Sequence, residues 1–307
     1  MALGSHAKVL DNAKVLGQAA AVAYQTPAAC ERWAVSQGFT PGTLEVFDVD
    51  DTQGFVVQNE TDLVVAFRGT EPKRPMDWLS DGRVIHAPWA HRVGKVHKGF
   101  YHALEAVWRD GRDVLPKRLA NCGNRRVWIT GHSLGGALAE LCAARASFDT
   151  AITSVPIQAV YTFGQPRVGD NEFAELLHDK MGVSVFRFVN DRDIVPRVPF
   201  YGTGYRHYGG QIFFDEAGKA SNTDSSVETM SAALKFARGA LSGESFQQIG
   251  QLVVDVVKGE FHGLSLDSLE QALRKRCDEI LQSGIEKVTD HDMHNCYLDR
   301  LKAPLPV

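Results

Sequence analysis

Cysteine is scarce in this 307-residue chain: the five present (Cys30, Cys122, Cys142, Cys277 and Cys296) are an odd number and include no CxxC pair. Such a set argues against a disulfide framework or a cysteine-based zinc site and suits reduced thiols. Long apolar runs are missing too. The most apolar stretch beyond the N-terminal region, Leu252 to Val257, is interrupted by Asp255 and falls far short of the roughly 20 residues that cross a bilayer. Residues Met1 to Thr26 carry Lys8, Asp11 and Lys14 and lack the uninterrupted apolar core of a signal peptide. The expectation is a cytoplasmic chain, with a mature secreted form left open. No run of Lys or Arg builds a basic stripe, and the net charge of -4 with a pI near 6.3 excludes nucleic acid as the expected partner. Repeats and low-complexity tracts are absent as well.

What remains is an ordinary globular composition, 44% apolar and 23% charged with a mean hydropathy of -0.18. A chain of this length can bury one large core, so a single domain over residues 1–307 is expected. Residues 5–24 carry Ala, Val and Leu at helical spacing and predict an N-terminal helix that stops near Pro27, within a lead-in of residues 1–40. Short β-branched and aromatic runs follow at 44–49, 54–58, 62–67, 126–130, 159–163, 183–189 and 211–214. Leu63 to Phe67 and Val127 to Ile129 are continuously apolar, as strands covered on both faces must be. Helical spacing over 99–120, 134–147 and 171–180 alternates with these strands, which predicts an α/β fold with a mostly parallel or mixed sheet. After Asp215 the apolar periodicity is helical, and residues 216–285 are expected to form a helical insertion capping one end of the domain.

Between the strand at Val127 and a helix rich in small residues stands Gly131-His132-Ser133-Leu134-Gly135. A serine on a tight strand-to-helix turn has a strained backbone and an exposed hydroxyl. Gly131 and Gly135 flank it because a Cβ at either position would strike the neighbouring strand or helix. The Leu134 amide opens the helix and faces the place where negative charge would develop on a reacting carbonyl. The alternative is a glycine-rich packing turn with Ser133 as a simple helix cap.

Four separated segments are involved in a wider likeness: Val64 to Thr70 (VVAFRGT), Val96 to Phe100 (VHKGF), Gly131 to Gly136 (GHSLGG), and Thr162 to Asp170 (TFGQPRVGD) running on to Asn190 to Pro196 (NDRDIVP). In order and spacing they resemble the class 3 lipase family, α/β-hydrolases that include fungal triacylglycerol lipases and some feruloyl esterases. The likeness covers about residues 60–215. It implies Ser133 as nucleophile, Thr70 after the FRG motif as second oxyanion donor beside Leu134, and Asp193 as the acid, with Asp191 as competitor and Asp170 as a helix cap. The chain order Ser, Asp, His leaves His207, His262, His291 and His294 as candidate bases. His207 belongs to a segment leading into the last strand and His262 to the helical block. His291, following Asp290 at the start of a last helix, is therefore the expected base, with His294 one turn further as the alternative. His97 and His132 are expected to pack around the turn.

The chemistry so implied needs no metal and no organic cofactor. It predicts carboxylester hydrolysis through an acyl-enzyme, on triacylglycerols or other lipid esters and at a transient lipid–water interface. The competing expectations are a short-chain or feruloyl-type esterase and, more remotely, a catalytically dead hydrolase fold used as a binding module. Residues 71–92, with Trp78, Leu79 and Trp89, form a candidate lid or acyl-pocket wall.

Overall fold

The computed structural model describes residues 3–4, 8–69, 86–89, 93–109, 114–149, 152, 155–181, 184–190, 193, 195–199, 204–221 and 291–302. Its frame is an eight-stranded sheet. In chain order the strands are β1 (Glu45–Val49), β2 (Thr52–Gln58), β3 (Asp62–Phe67), β6 (Arg126–His132), β7 (Ile157–Phe163), β9 (Ser184–Asn190), β11 (Gly210–Phe214) and β12 (Ala220–Ser221). They lie side by side in that same order. The run β3-β6-β7-β9-β11 is parallel, while β1, β2 and β12 pair antiparallel at the edges. A mixed sheet is thus present as expected. A second sheet of four short strands, β10 (Tyr205–Arg206), β8 (Gly169–Asp170), β5 (Lys95–His97) and β4 (His86–Pro88), lies beyond the sequence-based expectation.

Every residue of β3 is buried, and side chains alternate between two cores because successive residues point to opposite faces. Leu63, Val65 and Phe67 join Val127 and Ile129 on one face. There they meet α3 (Lys98–Arg109), α4 (Val114–Ala120), α5 (Leu134–Phe148) and α6 (Asn171–Met181) through Leu104, Leu115, Leu138 and Leu177. Val64 and Ala66 join Trp128 and Tyr161 on the other face, which is covered by α1 (Val9–Val22), α2 (Pro27–Ser36) and the C-terminal residues Met293, Tyr297, Leu298 and Leu301. At the start of the central strands, buried Asp62 accepts from Trp128 Nε1 at 2.8 Å and pairs with Arg126 at 2.8 Å, so that its charge is compensated.

Three expectations are corrected. Pro27 does not merely end a helix; it begins α2 at the position where a missing N–H is harmless, and Thr26 caps that helix by accepting from the Ala29 amide at 3.4 Å. The helix expected over 99–120 is two helices, Lys98–Arg109 and Val114–Ala120. Residues 216–221 belong to a turn and the edge strand β12 and not to the helical insertion, while residues 222–290 lie outside the described residues. Within the candidate lid or pocket wall, His86–Pro88 is strand β4 and Trp89 is buried against Tyr101 and Phe173. Trp78 and Leu79 lie outside the described residues. No helix among the described residues is long and apolar enough to cross a membrane.

Candidate active site

At the end of β6 the chain turns sharply into α5, and Ser133 occupies the turn with φ 58° and ψ -128°. A positive φ in a residue with a Cβ is strained backbone that the surroundings must hold. They do so by close contact. A Cβ added at Gly131 would stand 2.2 Å from the Gly135 carbonyl oxygen, and one at Gly135 would stand 2.5 Å from the Phe67 carbonyl oxygen. The Ser133 amide donates to the Phe163 carbonyl at 2.9 Å, tying the turn to β7. Ser133 makes no side-chain capping bond to α5, and its buried Oγ has no hydrogen-bond partner among the described residues. A hydroxyl used only as a cap would be bonded to an amide of the first helical turn.

Asp193 follows β9 and is 0% exposed. Its Oδ1 accepts from the Val195 amide at 2.9 Å, and its Oδ2 accepts from His291 Nδ1 at 2.8 Å and from the Tyr297 hydroxyl at 2.5 Å. Three donors on one buried carboxylate fix its orientation. Because the carboxylate only accepts, the neutral His291 ring carries its proton on Nδ1 and keeps a lone pair on Nε2. That Nε2 is buried and has no hydrogen-bond partner among the described residues. The His132 ring, next in sequence to Ser133, lies 4.5 Å from the His291 ring. Gly164, with φ +61°, lies against the pair: a Cβ there would come within 2.7 Å of His291 Cε1 and 2.8 Å of Asp193 Oδ2.

The structure thus joins Asp193 to His291 and sets the His291 ring beside that of His132, the residue before Ser133; Ser133 stands at the carboxyl end of β6 and Asp193 past that of β9, with β7 between them. Leu134 is the first residue of α5. Thr70 lies outside the described residues, but Gly69 before it is at the site: a Cβ on Gly69 would stand 3.2 Å from Ser133 Cβ. Asp191 and His262 lie outside the described residues. Asp170 caps α6 by accepting from the Phe173 amide at 2.9 Å. His207 is tied to the backbone after Asp193, its Nε2 2.7 Å from the Pro196 carbonyl oxygen, and burial pushes its pKa well below the ordinary value. His97 lies on β5 against Phe100, with its pKa pushed down to about 4 by burial. The expected α-helical turn from His291 to His294 is replaced by a π-helical segment, Met293–Leu298. Tyr297, which reaches Asp193 from that segment, went unforeseen because no spacing rule links it to an aspartate 104 positions earlier. Among the described residues, no group of His, Cys, Asp or Glu could hold a metal ion.

Residues 64–202 match the family model described as Lipase (class 3). That stretch of the chain is similar to the class 3 lipase family. The chain's fold is the α/β-hydrolase fold, as a triacylglycerol lipase structure shows: TM-score 0.60 at 25% identity, over 74% of this chain and 90% of that one. That structure is described as having a serine protease triad for its catalytic centre. Among curated relatives, the lipase of Rhizomucor miehei is 33% identical over 59% of this chain and 47% of its own length. Secreted mono- and diacylglycerol lipase A of Penicillium cyclopium is 27% identical over 66% of this chain and 63% of its own. The chain therefore spans about half the length of the first of those relatives. His291 and the elements covering one sheet face lie outside the matched stretch.

Proposed function

We propose that this chain is a serine carboxylester hydrolase that acts on triacylglycerols or other lipid esters through Ser133, His291 and Asp193. The observation that carries this is the buried Asp193–His291 pair at 2.8 Å, which leaves the imidazole Nε2 lone pair unused in a ring 4.5 Å from that of His132, the residue before a strained, uncapped Ser133. Ser133 Oγ attacks the ester carbonyl while its proton passes to His291 Nε2. Asp193 stabilises the imidazolium and keeps the ring in the productive tautomer. The carbonyl oxygen becomes an anion received by the Leu134 amide at the start of α5 and by Thr70. Collapse expels the alcohol, which takes the proton from His291, and an acyl group remains on Ser133. Water then repeats the sequence and releases the acid.

The lipid class of substrate rests on the names of the relatives, all lipases; mono- and diacylglycerols enter with the Penicillium protein. That relative is named as secreted, so the cytoplasmic expectation is not carried forward. Ser133→Ala should lower turnover of p-nitrophenyl butyrate about 10⁴- to 10⁶-fold with the fold intact. Activity near wild type in that variant would end the proposal. A series of p-nitrophenyl esters from short to long chain, with emulsified triolein and methyl ferulate alongside, separates lipase from short-chain or feruloyl esterase.

A further inference from the structure

Tyr24 lies just past α1, far from the stretch that matches the family model. Burial pushes its phenol well above the ordinary pKa, which keeps it a hydroxyl donor at any working pH. The oxygen is 3.0 Å from His132 Nδ1, and the backbone of Gly69 hydrogen-bonds it as well. On the far side of the His132 ring, Nε2 lies 2.6 Å from the backbone carbonyl oxygen of His291. A carbonyl can only accept, so His132 Nε2 carries the proton and a neutral ring leaves Nδ1 as an acceptor. The direction of the chain of bonds follows: Tyr24 O–H donates to His132 Nδ1, and His132 Nε2–H donates to His291.

Three chain segments therefore meet on two side chains. These are the end of β3 before Thr70, the turn bearing Ser133, and the C-terminal segment bearing His291. The last of these needs such a tie most. His291 belongs to no strand of the sheet, and its imidazole reaches Asp193 across 98 positions of sequence. We propose that Tyr24 and His132 are positioning residues for the general base: they fix the His291 backbone, and with it the direction of Nε2, relative to Ser133. This rests on the triad proposed above. Neither residue needs to touch substrate. Their contribution is alignment, where a displacement of about 1 Å costs on the order of 10²-fold in rate.

The test compares His132→Leu, His132→Gln and Tyr24→Phe. Sites are counted by labelling to completion with a fluorophosphonate, and kcat and KM are measured separately on p-nitrophenyl butyrate. His132→Leu should lower kcat per labelled site about 10²-fold, with KM within about twofold of wild type. His132→Gln places an amide N–H near the position of the imidazole Nε2–H and should recover about tenfold of that loss. Tyr24→Phe should cost roughly tenfold in kcat per site and shift the acid limb of the pH profile, because a loosened base meets Asp193 differently. A structural role alone would lower the number of labelled sites and leave kcat per site and the pH profile unchanged. Wild-type kcat per site in His132→Leu, or no recovery in His132→Gln, overturns the positioning role while leaving the triad standing. If His132→Leu does not fold, Tyr24→Phe decides, and an unchanged kcat per site overturns the role. Activity retained by Ser133→Ala would remove the triad and this role together.

Discussion

The two faces of the sheet are covered by different kinds of chain. One carries α3 to α6, which run between residues 98 and 181 inside the stretch that matches the family model. The other is covered by the two ends of the protein, α1 and α2 from the N-terminus and residues 293–301 from the C-terminus. The nucleophile is presented by local geometry on the first face: strand, strained turn and helix are contiguous, and glycines at 131 and 135 make the turn. The base is presented by long-range packing on the second. A Cβ added at Gly17 of α1 would stand 3.3 Å from Leu298, Leu301 and Met293, so α1 packs closely on the segment that carries His291. Local chemistry leaves a motif in the sequence, whereas a residue placed by distant packing leaves only a short list of candidates.

The strongest way to break this comparison is at the base. His291→Ala should cost about as much as Ser133→Ala, around 10⁴- to 10⁶-fold in kcat, while His294→Ala should cost roughly tenfold or less. Steady-state kinetics on one ester decides, and the reverse ranking would move the base to His294. Gly164 comes next because it stands where the segments from the two faces touch. Gly164→Ala puts a Cβ against His291 and Asp193 at a φ of +61°, so a loss on the order of 10²-fold in kcat is expected. Full activity would show that the pair tolerates displacement.

A third prediction sharpens the nucleophile side. Glu140 of α5 is buried with its Oε2 accepting from Gln165 Nε2 at 2.5 Å, and burial raises its carboxyl from 4.5 to about 7 against the opposing effects of Gln165 and Arg187. The folded state then prefers the protonated acid. Its contribution is complete below the unfolded value and is lost as pH rises through about 7. Glu140→Gln stays neutral throughout, so its stability relative to wild type should rise by roughly 2 to 3 kcal/mol between about pH 4.5 and pH 8. Urea unfolding at the two pH values checks this, and a constant difference would contradict it. The smallest effect belongs to the second face: Thr26→Ala removes the cap of α2 and should cost about 1 kcal/mol of stability with kcat unchanged.

Much of the sheet was legible for a physical reason. Val127 to Ile129 and Leu63 to Phe67 are apolar without alternation because helices cover both sides, and the structure buries them all. The turn at Ser133 was legible because its glycines have one steric purpose. Pro27 was not, since a proline ends one helix and starts another with equal ease. The second sheet was missed because β4 and β5 are three residues each, in a segment whose Trp and Pro content suggests a loop. Tyr297 and Tyr24 were illegible as site residues because their partners, Asp193 and His132, lie 104 and 108 positions away.

The most direct test of the central claim is to trap the covalent intermediate. The enzyme is mixed with a p-nitrophenyl ester and quenched in acid, and the acylated peptide is mapped by mass spectrometry. One acyl group on Ser133, absent from Ser133→Ala, is the result expected. Continued turnover with the acyl group on another residue, or with no acyl-enzyme formed at all, would contradict it.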